Sequence, residues 1–188
     1  YAAILRKHRN EFCSEDTQQV LGSPQYLGEQ LGVIRKFVGA VNGCIRRTVA
    51  VNRGRTAPQA IGATGRKRYV ADTVVNAMPY GQGTEATVVF FKLGRYVNDD
   101  DLEKEYELRG LVPADGYSIA AVNEEDPAFA DDHPNATHWK DDDGKWCYAA
   151  FFRWDAERRV NVNRNEDDWP GGWWFAGLRY SLHFSPTG

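Results

Sequence analysis

The sequence predicts an α+β protein in which a basic helical segment precedes a domain built mainly from strands. Apolar residues recur at three- and four-residue steps between Leu27 and Ile45, which is the spacing of one helix face. From Tyr69 onwards, apolar residues alternate with polar ones or form short runs, as they do in strands. Charge divides the chain near the same place, because residues 1–70 carry a net charge of +8 and the remainder carries −11. We therefore predict two segments with different roles, residues 1–65 and residues 66–188.

Two helices are predicted in the first segment. The first covers residues 2–12. The second runs from Ser23 to Ala50, with Ser23 as its N-cap and Pro24 at its first position, where proline is tolerated. Residues 52–68 are rich in Gly, Arg and Thr and lack large apolar side chains, so they are predicted to form a loop or linker.

Strands and helices are interspersed at the start of the second segment. Strands are predicted over residues 69–75 and 87–93. A helix is predicted over 98–109, because acidic residues favour a helix N-terminus and Gly110 follows as a stop. A second helix is predicted from 113–115 through Val122, with Phe129 extending it.

The C-terminal part of the chain combines a hairpin with an aromatic frame. Residues 141–144 read Asp-Asp-Asp-Gly between two apolar runs, and Asp-Gly in that position predicts a β-hairpin. Residues 160–165 alternate, so we predict a strand with two Val residues on one face and three Asn residues on the other. A turn-rich loop over 166–172 and an apolar strand over 173–180 follow. The predicted buried frame consists of Trp146, Tyr148, Phe151, Trp154, Val160, Val162, Trp173 and Phe175.

The motifs that would indicate catalysis are missing from the sequence. Residues 81–83 read Gly-Gln-Gly, but a strand follows where a dinucleotide site needs a helix N-terminus. The acidic run at 141–144 lacks the spacing and the terminal Glu of a calcium loop. His138 is predicted to be a hydrogen-bonded surface residue rather than a metal ligand. We therefore expect a protein that is not an enzyme and binds neither a cofactor nor a metal.

Neither a disulfide framework nor a membrane span is predicted. Cys13, Cys44 and Cys147 are an odd number of cysteines at wide spacing, which predicts unpaired and mostly buried thiols. The longest apolar stretches are far too short to cross a bilayer. The first residues also lack the long apolar core of a secretory signal peptide.

Residues 98–179 resemble the variable proteins of diversity-generating retroelements. The resemblance rests on five stretches, namely 100–111 (DDLEKEYELRGL), 121–130 (AVNEEDPAFA), 135–139 (NATHW), 146–151 (WCYAAF) and 173–179 (WWFAGLR). In that family a reverse transcriptase copies a template with errors at adenines, and the copy replaces the 3′ part of the gene. The family has a C-type lectin fold and a binding role. The resemblance therefore implies a C-type-lectin-like domain over 66–188, with mixed antiparallel strands and two helices.

The residue pattern of the last forty positions fits such a mechanism. Asn codons carry adenine at two positions, so copying errors there give a broad set of residues, whereas Trp and Phe codons hold few adenines and stay constant. The three Asn residues of 160–165 fit as unmutated template residues. The alternative interpretation is that these are ordinary polar residues of a strand and a loop. The candidate diversified, ligand-binding positions are Phe152, Asp155, Ala156, Arg159, Asn161, Asn163, Asn165, Asp167, Pro170, Gly171 and Gly172.

The partner implied by the resemblance is an unidentified protein or cell-surface macromolecule, bound without catalysis. The sequence lacks the Trp-Asn-Asp and Glu-Pro-Asn patterns of calcium-dependent lectins, which argues against simple sugar binding. It also has only Cys147 where the formylglycine-generating enzymes of the same fold use paired cysteines. A virion or a cell surface suits the function, and both the cellular location and an oligomeric state are left open.

The alternative function is nucleic-acid binding through the basic residues 1–70. Basic clusters such as Arg66, Lys67 and Arg68 are typical of phosphate-binding surfaces. A further alternative is that the basic half pairs with the acidic half of the chain or mediates assembly.

Overall fold

Eight strands form one sheet in the computed structural model, which describes residues 43–179. The strands are β1 (Ile45–Ala50), β2 (Lys67–Val70), β3 (Glu85–Lys92), β4 (Leu111–Pro113), β5 (Asn135–Lys140), β6 (Trp146–Trp154), β7 (Glu157–Arg164) and β8 (Trp174–Arg179). The helices in the same residues are α1 (Ala57–Ala63), α2 (Asp72–Asn76), α3 (Asp99–Leu108), α4 (Gly116–Glu125) and α5 (Phe129–Asp132). The predicted α+β class is therefore confirmed. The helix predicted over 2–12 and most of the one predicted over 23–50 lie outside the described residues.

The sheet is mostly antiparallel, with the strand order β1-β3-β8-β5-β6-β7-β2 and with β4 pairing beside β8. Only the pairs β5–β8 and β2–β7 are parallel. Strands β6 and β7 form a long hairpin, and β2 lies outside β7 at one edge of the sheet. Residues of β2 therefore lie next to residues about 90 positions later in the chain.

Two hydrophobic cores lie on opposite faces of this sheet. The first packs helices α1, α2, α4 and α5 against side chains such as Phe151, Val160 and Val162. The second packs α3 and the loop after β7 against the other face, through Tyr106 and Trp169. Among residues 43–179, no helix is long and apolar enough to cross a membrane.

Three elements near the start of the described chain differ from the sequence prediction. The helix predicted up to Ala50 is wrong in its last part, because Ile45–Ala50 form strand β1 and pair with β3 over six residues. The loop predicted over 52–68 contains helix α1 and the first residues of β2. The strand predicted over 69–75 ends at Val70, after which Asp72–Asn76 form helix α2. For β1 and α2 long-range packing overrides the local residue preference, whereas α1 follows a local capping signal that the prediction did not use.

The later elements agree closely with the prediction. Helix α3 begins after Asn98, whose side-chain oxygen accepts a hydrogen bond from the Asp101 amide at 2.8 Å. Gly110 follows the helix with a φ of 64°, a left-handed conformation that favours glycine. Strands β5 and β6 form the predicted hairpin, in which Gly144 has a φ of 73°. Phe129 lies in the separate helix α5 instead of extending α4.

The predicted buried frame is correct for four of its eight residues and wrong for Trp154. Phe151, Val160, Val162 and Phe175 are fully or almost fully buried. Trp154, by contrast, is 61% exposed. It is the last residue of β6, beside the tight hairpin turn, and residues 43–179 leave most of its side chain uncovered. The other three predicted frame residues, Trp146, Tyr148 and Trp173, are partly buried.

Candidate ligand-binding face

Four of the predicted variable residues lie together on one face of the β6–β7 hairpin. Arg159, Asn161 and Asn163 alternate along β7, so their side chains point to the same side of the sheet. Phe152 of β6 lies directly opposite Arg159 in the antiparallel register. All four are partly exposed. We call these four residues, together with their neighbours Lys67, Tyr69 and Tyr148, the asparagine face.

The opposite side of the same two strands is the buried frame. Val160 and Val162 alternate with the asparagines and are completely buried, as is Phe151. These residues pack into the core beneath the helices. Alternate residues of the hairpin therefore point to a packed face and to a partly exposed face.

Aromatic rings form a wall along one side of the asparagine face. The ring of Phe152 meets Trp173 edge to face with a centroid separation of 5.7 Å. Trp173 in turn meets Trp169 at 5.6 Å, and Trp169 meets Tyr148 at 5.4 Å. Edge-to-face contacts of this kind hold aromatic side chains in fixed orientations. The exposed parts of Phe152 and Trp173 are thus presented on a rigid support.

A charged cluster forms the other side of the asparagine face, at strand β2. Tyr69 is 39% exposed, and its ring lies 5.2 Å from the Arg159 guanidinium and 5.6 Å from the Lys67 ammonium. Glu157 accepts from Arg159 at 2.7 Å and pairs with Lys67 at 3.0 Å. The sequence prediction missed Tyr69 as a site residue and named Lys67 only in the basic cluster of the alternative nucleic-acid-binding function. Nothing local in the sequence indicates that β2 pairs in parallel with β7.

The three asparagines predicted to vary are held in different ways. The Asn163 amide donates to the backbone carbonyl of Tyr69 at 3.0 Å. The Asn165 amide donates to Asp99 Oδ2 at 2.7 Å. The side chain of Asn161 makes no hydrogen bond within residues 43–179, and its Oδ1 atom is buried without a partner there. Asn161 is therefore the one of the three that is most open to replacement.

Asn165 belongs to a buried polar network centred on Asp99, which the sequence analysis did not find. Asp99 is 7% exposed and also accepts hydrogen bonds from Trp169 Nε1 at 2.9 Å and from His138 Nδ1 at 2.6 Å. Burial raises the pKa of Asp99, but the hydrogen bonds from His138, Trp169 and Asn165 outweigh it and lower the pKa overall. A charged Asp99 thus ties the loop after β7 to helix α3.

His138 is buried at the centre of this network, which corrects its prediction as a surface residue. Its ring is 1% exposed and is stacked between Tyr106, at 5.5 Å, and Trp146, at 4.6 Å. Its Nε2 atom lies 2.8 Å from Glu103 Oε1, so a second carboxylate faces the ring. Burial lowers the pKa of His138, but the carboxylates of Asp99 and Glu103 outweigh it and raise the pKa overall.

The remaining predicted variable residues lie in the hairpin turn and in the loop after β7. Asp155 and Ala156 form the exposed turn between β6 and β7, and Asp155 has a φ of 53°. Asp167, Pro170 and Gly172 are exposed in the loop. None of the eleven predicted positions is buried, but the structure does not gather all of them onto one strand face.

Gly171 is the predicted variable residue whose surroundings allow least change. A Cβ atom at this position would lie 2.6 Å from the backbone nitrogen of Arg95 and 2.7 Å from the carbonyl carbon of Gly94. Both contacts are with backbone, which cannot rotate away as a side chain can. The structure therefore restricts position 171 to glycine, whereas a Cβ atom at Gly172 meets nothing within 4 Å.

The asparagine face presents rigid aromatic rings next to amide and guanidinium groups. This combination is typical of binding surfaces, in which aromatic residues give contact area and small polar residues adapt their hydrogen bonds.

The chain matches no protein-family model, no curated protein and no solved structure. In the part of the chain that the structure describes, no group of three or more His, Cys, Asp or Glu side chains is placed to hold a metal ion.

A separate cleft lies away from the asparagine face. Its volume is about 980 Å³, and it opens where β5 diverges from β8 and strand β4 takes the place beside β8. Its walls include Trp146, Lys140, Glu103 and the edge of His138. The His138 ring stacks on the Trp146 indole with a centroid separation of 4.6 Å, and the Lys140 ammonium lies 4.4 Å from the indole centroid. The Trp146 indole is therefore already in contact with an imidazole and with an ammonium group.

Several basic residues of the first 70 positions are engaged by acidic residues or carbonyl groups of the second half. Arg53 pairs with buried Asp115 at 2.9 Å, and Arg55 donates to both oxygens of Glu124. Arg66 is 5% exposed and donates to two backbone carbonyls. These contacts favour pairing between the basic and acidic halves over a free phosphate-binding surface in this part of the chain.

Proposed function

We propose that the chain is a non-catalytic binding protein whose C-terminal surface is diversified by retroelement mutagenesis to bind varied macromolecular ligands. The observation that carries the proposal is the division of strands β6 and β7. Phe152, Arg159, Asn161 and Asn163 share a partly exposed face, while Val160 and Val162 are fully buried behind them. A protein that changes its ligand by mutation needs such a frame, because exposed positions can change with little effect on folding.

The fold proposed for residues 66–188 is C-type-lectin-like. It is supported by the mostly antiparallel sheet and by two ten-residue helices, α3 and α4, that pack on its opposite faces. Strand β1 and helix α1, which precede residue 66, pack on the same sheet.

Sequencing of the gene and its neighbourhood tests the retroelement origin. We expect a reverse-transcriptase gene and a near-repeat of the region that encodes residues 150–179, with differences confined to template adenines. Copies of the gene from a natural population should differ mainly at the codons for the proposed positions. Differences spread evenly along the gene would contradict the proposal.

A display library tests the binding surface itself. Positions 152, 159, 161 and 163 are randomised together, and the library is selected against one defined protein, such as hen lysozyme. Most members should remain folded, and some should bind with an affinity that the parent chain lacks. A matched library at positions 151, 160 and 162 should be mostly unfolded. Equal losses of folding in both libraries would contradict the proposed surface.

A further inference from the structure

Trp154 differs from the other tryptophans of the chain in its exposure to solvent. Its side chain is 61% exposed, whereas the remaining five tryptophans are buried or partly buried. Within residues 43–179 its indole makes no hydrogen bond and no contact with another ring or with a cation. A large apolar side chain in this position contributes little to the packing of the described residues, so its exposed surface is available to a ligand.

The strand register places Trp154 at one end of the asparagine face. Trp154 lies directly opposite Glu157, and Phe152 lies opposite Arg159. Residues two apart in a strand point to the same side of the sheet, and residues directly opposite one another in an antiparallel pair share that side. The indole therefore extends the asparagine face towards the turn of the β6–β7 hairpin.

Ion pairs on the opposite side of the sheet hold this end of the hairpin in place. Arg158 donates to Asp131 of helix α5 through Nε at 3.0 Å and through Nη2 at 2.7 Å, and Arg153 donates to the same carboxylate at 3.4 Å. Arg153 also donates to the backbone carbonyl of Asp155 in the turn, at 3.3 Å. The backbone that carries Trp154 is thus fixed before a ligand arrives, which lowers the entropy lost on binding.

The charges next to Trp154 balance one another. Glu157 accepts from Arg159 at 2.7 Å and pairs with Lys67 at 3.0 Å, and all three lie on the side of the asparagine face. Asp155 follows Trp154 in the exposed turn. Two positive charges therefore face two negative ones, and this end of the face has no surplus charge to attract a polyanion or a polycation.

We propose that Trp154 is a ligand-contact residue of the asparagine face, and that the ligand it fits is a protein with an uncharged apolar pocket. Tryptophan is enriched among the residues that contribute most to protein–protein binding, where it fills such pockets, and charged residues are depleted from the centres of these interfaces. This inference rests on the proposed function and deepens it. Trp154 is not among the eleven proposed variable positions, so every variant would keep this contact while the variable residues select the partner.

Binders of hen lysozyme, selected from the library randomised at positions 152, 159, 161 and 163, provide the test. Trp154→Ala is introduced into several independent binders, and their affinity for lysozyme is measured by calorimetry. We expect a loss of about thirtyfold, the effect of truncating a central tryptophan, while Trp154→Phe should keep most of the affinity. Leu108→Ala is the matched control, because Leu108 is 44% exposed but lies on helix α3, and it should leave the affinity unchanged.

Two further measurements separate direct contact from an effect on folding. Thermal unfolding should give nearly the same unfolding temperature for each binder with and without Trp154→Ala. A photoreactive benzoylphenylalanine at position 154 should cross-link to lysozyme, and the same group at position 108 should not.

The outcomes distinguish this inference from the proposed function. Binders that keep their affinity after Trp154→Ala would overturn the inference and leave the proposed function intact, whereas a library without binders would contradict both. The same library is also selected on yeast mannan. Mannan binders that need Trp154, together with lysozyme binders that do not, would assign the residue to carbohydrate and overturn the protein partner.

Discussion

The indole Nε1 of Trp169 donates a hydrogen bond to Asp99 Oδ1 at 2.9 Å, and both side chains are buried. Asp99 is the first residue of helix α3, and Trp169 lies in the loop after β7. The same loop forms part of the aromatic wall of the asparagine face, through the contact between Trp169 and Trp173. The hydrogen bond therefore links a helix on one face of the sheet to the support of the candidate binding surface.

Replacing Asp99 should destabilise the protein far more than replacing the acid next to it. Asp99→Asn removes the charge that faces His138 and weakens three hydrogen bonds, so we expect a loss of about 2–4 kcal/mol in unfolding free energy at pH 6. Asp100→Asn changes a mostly exposed side chain and should cost at most about 0.5 kcal/mol. Urea unfolding of both variants measures the difference. Similar losses in the two would mean that the Asp99 network contributes nothing specific.

The Asp99–His138 pair should make the free energy of unfolding fall both at low pH and at high pH. The pKa of His138 is raised above its ordinary value of 6.5, so its contribution is complete below pH 6.5 and is lost as the pH rises through the folded-state pKa. The pKa of Asp99 is lowered from 3.8, so its contribution is complete above pH 3.8 and is lost as the pH falls through the folded-state pKa. The pair should thus stabilise most between these two values.

Unfolding curves measured from pH 5 to pH 9 check the upper limit. The parent chain should lose stability as the pH rises above 6.5, and His138→Gln should abolish that loss. His133→Gln is the matched control, because His133 makes no ion pair within the described residues, and it should keep the parent profile. An unchanged profile in His138→Gln would contradict the assignment.

Asn161 and Asn165 have the same place in the sequence pattern, but only Asn165 makes a side-chain hydrogen bond within the described residues. Asn165→Ser removes the hydrogen bond to the charged Asp99 and should cost about 1–3 kcal/mol. Asn161→Ser removes no hydrogen bond to the described residues and should change stability by at most about 0.5 kcal/mol. Thermal unfolding of the two single variants makes the comparison. A costly Asn161→Ser would show that the asparagine face is itself structural.

The exposure of Trp154 leads to an expectation opposite to the one from sequence. With 61% of its surface exposed, Trp154→Ala should cost less than about 1 kcal/mol, far below the roughly 3–5 kcal/mol of a buried aromatic residue. Phe151→Ala in the same strand removes a fully buried ring and should show that full cost. Chemical denaturation of both variants tests this, and a large loss for Trp154→Ala would contradict its exposed position.

Local patterns in the sequence predict the later strands and helices well because those signals are short-range. The alternation of 160–165 and the Asp-Gly turn each act within one hairpin. Strand β1 depends instead on pairing with β3, some forty residues away. A usable signal for α1 was present, because Thr56 and Gln59 form a capping box around Pro58. The Asp99 network leaves no local signal, because Trp169 joins it from 70 residues away.

Gly171 and Gly172 are neighbours in the proposed variable loop but differ most in the space around them. Gly171→Ala would push a methyl group to within 2.6 Å of the Arg95 backbone nitrogen, so we expect a loss of about 1–3 kcal/mol from overpacking. Gly172→Ala places its methyl group in open space and should leave stability unchanged or raise it by up to about 1 kcal/mol. Thermal unfolding of the two variants gives the energies. In a library randomised at both positions, folded members should keep glycine at 171 and vary freely at 172. Free variation at both would show that the loop moves away from Arg95, and the contact between them would then not restrict diversification.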